Sequence, residues 1–277
     1  MAMLEYFVDL LKISLPVLYL FTIFLYGLAF FLDEQFGIRN RTRFLIATLI
    51  VHLIYLLSRT LLTGHPPVTS VFEIMSVVSF TIGVAYLYIE MRSHVKDTGM
   101  FILTLAFLFE VVSAAFIKDY VHVNPVLKSS VLGLHVASAM LGYSALAISA
   151  VYGGLYLMMY HEIRSSRFGI VYRKLPDLQT LEKLSYVSIV LGFIFLSIVI
   201  LIGYVWLPKT IDDFRYADPK LIITDIVWAI YFVALLSKRA MRWTGRTVVI
   251  ASILGFCLTV VSMVIVNVFL PSFHNFK

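Results

Sequence analysis

The sequence predicts an all-α, polytopic transmembrane helix bundle of about eight spans. Its residues are 61% hydrophobic and only 14% charged, its mean hydropathy is +0.94, and apolar runs of bilayer length recur along the whole chain. A span needs about 20 mostly apolar residues at a rise of about 1.5 Å each. Such runs fall at 13–32, 44–62, 72–89, 100–116, 130–160, 186–205, 221–236 and 248–269. Eight of them nearly exhaust 277 residues, so the expectation is a single integral membrane domain over 1–277, with no folded soluble domain beside it.

The first run follows Asp9, with no basic n-region and no small-residue cleavage site before it. That pattern predicts a retained span rather than a secretory signal. The second run carries His52 and Arg59, seven residues or two helical turns apart and therefore on one face. Glu73 opens the third run and Glu110 lies in the fourth. An intramembrane arginine is costly and turns to a polar partner in the bundle interior, so Glu73 and Glu110 are the candidate partners of Arg59. In the fifth run His135, Ser138, Gly142, Ala145, Ser149 and Gly153 recur at spacings of three or four. This narrow stripe of small residues is where another helix packs closely, and it turns the His135 imidazole into the bundle. The eighth run holds Cys257, the only cysteine. It is expected as a small core residue, and it excludes a disulfide or a thiolate metal cluster within the chain. Pro271 ends that helix, and His274 follows it.

Charge sets the orientation. With eight spans the loops divide into two alternating sets. Loops 33–43, 90–99, 161–185 and 237–247 hold fourteen Lys and Arg residues, and the other set, with both chain ends, holds seven. The positive-inside rule makes the richer set cytoplasmic. Both termini then face the periplasm or cell exterior, from a cytoplasmic (inner) membrane. The net charge of +6 is thereby explained by topology and anionic membrane lipid, and no nucleic-acid partner is implied.

Histidine supplies the candidate metal chemistry. Two neutral imidazoles converging across a cavity can fill both axial positions of a haem iron. His135 and His274 fall on the same outer side; the alternatives are a hydrogen-bonded core histidine and a solvated tail histidine. His65, His94, His122 and His161 fall in loops, the last three as surface residues.

Several separated motifs resemble, in order, those of the CcsA/HemX family of cytochrome c assembly membrane proteins. Arg59 to Glu73, R-T-L-L-T-G-H-P-P-V-T-S-V-F-E, is similar to the family's R-x4-G-H-x-P-x-S-N-x-Y-E. Thr69, Ser70 and Phe72 stand where the family has Ser, Asn and Tyr. From His135, H-V-A-S-A-M-L-G-Y-S-A-L is similar to H-V-x-x-x-M-L-x-Y-x-A-L. Leu184, Ser185 and Tyr186, Gly192 and Phe193, and the closing G-Y-V-W to Trp206 resemble the next family span, and Val266, Asn267 and His274 its last. The resemblance implies haem b held on the outer face between His135 and His274. Arg59 and Arg215 would meet the propionates, Asp218 would belong to the haem-facing loop, and the partners would be a second membrane subunit of a cytochrome c synthase and apocytochrome c.

The family's tryptophan-rich loop, W-G-x-Y-W-x-W-D-P-K, is degenerate here. Between Trp206 and Trp228 only Asp218, Pro219 and Lys220 of it remain, and Ile211, Arg215, Ala217 and Ile223 replace tryptophans. Phe214 and Tyr216 are the only aromatics left in the loop. Leu236 stands at the family's further histidine, and leucine cannot ligate iron. Two functions follow. One is a haem-handling factor with no catalytic constellation of its own. The other is a structural or regulatory subunit of a membrane complex that keeps the fold and has lost haem presentation. A secondary transporter would carry inverted repeats and helices broken at mid-membrane; the sequence has no internal repeat, and its Gly and Pro breaks fall at span ends.

The charge asymmetry predicts that a cysteine engineered into loop 206–220 of intact cells reacts with a membrane-impermeant reagent and one in loop 161–185 does not. The reverse labelling pattern contradicts the orientation.

Overall fold

The computed structural model describes residues 2–93, 95–117, 130–209, 215–240 and 245–269, except for the side chains of 130, 207, 239, 240 and 262–269. The described residues are helical almost throughout, without a strand. In chain order the helices are α1 (Ala2–Leu32), α2 (Gln35–Thr63), α3 (Val71–Ser93), α4 (Gly99–Phe116), α5 (Ser130–Arg164), the short α6 (Ile170–Lys174), α7 (Leu178–Trp206), α8 (Pro219–Ala240) and α9 (Gly245–Phe269). Seven of them, α1 to α5, α7 and α8, are long and apolar enough to cross a membrane. Helix α9 occupies the eighth expected run, its described side chains ending at Val261. A multi-pass bundle is the arrangement that hydrocarbon permits, since helices satisfy their own backbone polar groups where no water can.

Most helices extend past their apolar runs, because polar ends continue the helix into the interface. Caps mark the ends. Gly64 closes α2 with φ +74° and its N–H on the Thr60 carbonyl, a left-handed position that glycine adopts without a Cβ penalty. Asp177 opens α7 by accepting from the Thr180 N–H at 2.8 Å and the Thr180 hydroxyl at 3.1 Å. Those hydrogen bonds hold its carboxyl below the usual carboxylate range.

The chain forms two compact units, residues 1–121 with 167–176, and residues 122–166 with 177–277. In the first, α1 packs on α2 and α4, and α3 packs on α4 and α2. Leu15, Tyr19, Leu45, Ile82, Tyr86 and Ile102 are among its fully buried side chains. In the second, α5 packs chiefly on α7 and also on α9, while α8 packs on α9 and α7, around Leu146, Ile189, Leu196, Val227, Tyr231 and Val248.

The small-residue stripe of α5 makes the seams of the second unit. A Cβ on Gly142 would stand 3.4 Å from the Phe195 Cβ and 3.6 Å from the Leu196 nitrogen of α7. One on Gly153 would stand 3.2 Å from the Val249 carbonyl of α9. Between them Ser149 hydrogen-bonds Ser185 of α7 and Ser252 of α9, at 3.1 and 2.6 Å. Cys257 departs from its expected core position: it is exposed on the surface of α9, where a small thiol is tolerated against hydrocarbon. His161, expected in a loop, lies in the exposed last turn of α5.

Glycine at 192 is required by close approach, since a Cβ there would meet Leu146 Cδ2 at 2.4 Å and Cγ at 2.7 Å. Gly192→Ala should cost about 1–3 kcal/mol by overpacking and lower the melting temperature. Gly154→Ala, with nothing within 4 Å of the new Cβ, should not. Equal melting temperatures for the two variants would contradict this packing.

Candidate functional site

The Arg59–Glu73 motif of the first unit is a loop clamp. Arg59 and Glu73 are 3% and 1% exposed, and Nε and one terminal nitrogen of Arg59 donate to Glu73 Oε1 at 3.0 and 2.9 Å. The other carboxylate oxygen accepts from the Thr69 N–H at 2.8 Å and the Thr69 hydroxyl at 2.6 Å. Ser70, at the N-terminus of α3, accepts from the Glu73 N–H at 3.2 Å. This is a capping box in which the Glu carboxylate reaches back one residue further, to Thr69. Gly64 ends α2, the Thr63 hydroxyl donates to the His65 carbonyl, and His65 lies buried at the start of the loop. Arg59, Thr63, Thr69, Ser70 and Glu73 thereby fix the connection between α2 and α3.

Of the two acids expected as partners of Arg59, Glu73 holds it. Glu110 instead accepts from Ser76 at 3.0 Å and lies 3.5 Å from His52 Nε2. Sequence reasoning placed His52 and Arg59 on one buried face, and both are buried. It missed the residues that meet His52: Tyr19 on α1 and Ser76 on α3. A tyrosine and a serine inside apolar runs give too common a signal to single out.

In the second unit His135 is half-buried at the head of the stripe that seats α5 on α7 and α9. Asp218 is 5% exposed and caps α8: its carboxylate accepts from the Lys220 N–H at 2.9 Å, and Pro219 takes the first helical position. Asp-Pro at these two positions starts a helix efficiently, since proline has no N–H to leave unsatisfied there. The D-P-K segment thus sets where the loop ends and α8 begins. Arg215 is exposed, and its carbonyl accepts from the Asp218 N–H at 3.1 Å. The exposed Tyr216 stacks on Tyr204 of α7, with ring centroids 6.1 Å apart at 18°, and the Tyr204 hydroxyl donates to Asp225 of α8. Tyr204 and Asp225 are the site residues the sequence reading missed; an acid four residues inside an apolar span was the available signal. Deeper between α7 and α8, Trp228 stacks with Phe193 and Phe232 at 5.2 and 5.1 Å and donates its indole N–H to Ser197. His274, Ile211, Phe214, His94 and His122 lie outside the described residues.

Seven bilayer-length helices, buried ion pairs satisfied within their own bundle, and a histidine at the head of a close helix seam define a multi-pass membrane protein. A family model described as cytochrome C assembly protein matches residues 68–274, and the chain belongs to this family. It is similar to a cytochrome c biogenesis protein CcsA of Prochlorococcus marinus (strain MIT 9312), 29% identical over 261 residues, covering 83% of each chain. It is similar to protein HemX of Brevibacillus brevis, 26% identical over 234 residues, covering 81% of this chain and 86% of the relative. A CcsA of Trieres chinensis is 25% identical over 296 residues, covering 94% and 93%.

Breaking the clamp leaves a buried, uncompensated carboxylate. Arg59→Leu should therefore cost about 3–5 kcal/mol and lower both the yield and the melting temperature of the purified protein. Normal yield and melting temperature would show that the loop does not depend on the pair.

Proposed function

We propose that this chain handles haem at the outer face of the cytoplasmic membrane, in support of cytochrome c maturation or haem delivery. What carries the reading is membership of the cytochrome c assembly family together with His135 at the head of the α5 seam. The charge asymmetry of the loops puts that end, and both chain termini, on the periplasmic or exterior side.

The residues available to the site suit a haem in kind. His135 offers an imidazole for the iron, with His274 as the second axial ligand. Arg215, exposed at the end of the loop, offers a guanidinium to a propionate, for which its planar fork is suited. Tyr216 on Tyr204 supplies an aromatic surface in place of the missing tryptophans. Asp218 serves by fixing the loop against α8, and Arg59 serves by holding the 64–70 loop, which leaves propionate contact to Arg215. When bound, haem b supplies the iron chemistry; the protein's side chains orient it, shield it and present it. Partners of matching chemistry are apocytochrome c and a second membrane subunit of a cytochrome c synthase. Leu236 is apolar and exposed and offers no second ligand pair along α8.

A visible spectrum of the detergent-purified chain loaded with haem tests this. The expected result is a sharp Soret band with low-spin bands on reduction. His135→Ala or His274→Ala should convert it to a five-coordinate spectrum or lose the pigment, and His161→Ala should leave it unchanged. A chain that takes up no haem, or one whose spectrum ignores both replacements, overturns the reading in favour of a structural subunit.

A further inference from the structure

The first unit holds a second set of polar groups that the haem reading does not use. Tyr19, His52, Ser76 and Glu110, one from each of α1 to α4, are each no more than 1% exposed. Tyr19 Oη lies 3.0 Å from His52 Nδ1, His52 Nε2 lies 3.0 Å from Ser76 Oγ, and the Ser76 hydroxyl donates to Glu110 Oε2 at 3.0 Å.

The directions of these bonds are fixed by one another. With Ser76 donating to Glu110, its oxygen accepts from His52 Nε2–H, which leaves Nδ1 to accept from the Tyr19 hydroxyl. Every interior member therefore both donates and accepts. A proton added at the Tyr19 end and released onto Glu110 leaves the same chain with every bond reversed: the acid donates to Ser76, Ser76 to Nε2, and Nδ1–H to Tyr19. A network serving only to hold helices together needs no such continuity, and a hydroxyl bonded to a backbone carbonyl, as Ser79 is to Ala106, suffices.

A further buried hydroxyl lies near the Glu110 end. Ser113 stands three residues beyond Glu110, on the same face of α4 and toward the end at which the Arg59–Glu73 clamp lies. Its hydroxyl oxygen is buried and has no hydrogen-bond partner among the described residues.

We propose that Tyr19, His52, Ser76 and Glu110 form a proton wire within the bilayer, with Glu110 as its proton-accepting end. The titratable groups in contact with the network are its own Tyr19 from α1 and His52 from α2, with the Tyr55 ring 6.2 Å from that of His52; Glu73 of α3 is committed to Arg59. Glu110 is the only titratable residue of α4. This inference is independent of haem binding and stands or falls on the apoprotein.

The test is infrared difference spectroscopy of the full chain in lipid nanodiscs, stepped from about pH 5 to about pH 9. A carboxylic-acid C=O band that disappears as pH rises is expected, absent in Glu110→Gln and retained in Glu90→Gln. Because the groups titrate as one system, His52→Gln and Tyr19→Phe should each move its midpoint by about one pH unit or more. His52→Gln keeps a polar side chain in place, and the melting temperature of each variant establishes that it is folded. No titrating band, a band that survives Glu110→Gln, or a midpoint unmoved by both His52→Gln and Tyr19→Phe in folded protein would each overturn the proposal.

Discussion

The Arg59–Glu73 pair concentrates the constraint under which the whole chain folds: in hydrocarbon no water is available, and every polar group must find its partner in protein. Glu73 meets that constraint with both oxygens, one for the guanidinium and one for the backbone and hydroxyl of Thr69. An isolated buried arginine or glutamate would be destabilising by several kcal/mol. Joined, and with the Thr69 hydrogen bonds added, they tie the end of α2, the loop and the start of α3 into one unit. The same rule operates at the other end of that bundle, where Glu90 is buried and accepts from Tyr26 and Thr42, and at Asp225, which takes the Tyr204 hydroxyl.

Much of this was legible in the sequence because hydropathy and spacing act directly. The apolar runs gave the helices, with ends short by the polar turns that pattern alone cannot assign. The small-residue stripe of α5 does seat it closely, since a Cβ on Gly142 would already be in contact with α7 and one on Gly153 in tight contact with α9. Arg59 and an acid were correctly paired in kind; the choice between Glu73 and Glu110 depended on helix rotation, which an alternation of spans does not fix. The exposed Cys257 shows the same limit, because an apolar helix surface facing lipid and one facing the core carry similar residues. Tyr19, Ser76 and Tyr204 escaped notice for a different reason: a single hydroxyl in an apolar run is common, and it acquires meaning only when a titratable partner from another helix arrives beside it.

Family motifs acquire physical content when their local roles are separated. Gly64, Thr69, Ser70 and Glu73 terminate one helix, clamp a loop and start the next. Asp218 and Pro219 start α8. These residues hold the frame of the two loops. A cap or clamp has one partner set and tolerates little change, whereas the Tyr204–Tyr216 stack beside it rests on ring contact.

The central claim is that the histidine heading the α5 seam is an axial ligand in a protein that handles haem. Electron paramagnetic resonance of the ferric, haem-loaded chain tests it most directly, because the spin state reports the number and kind of axial ligands. The account predicts a low-spin signal of bis-imidazole type that becomes high-spin in His135→Ala. A high-spin signal in the unaltered protein, or a low-spin signal indifferent to His135→Ala, would contradict it.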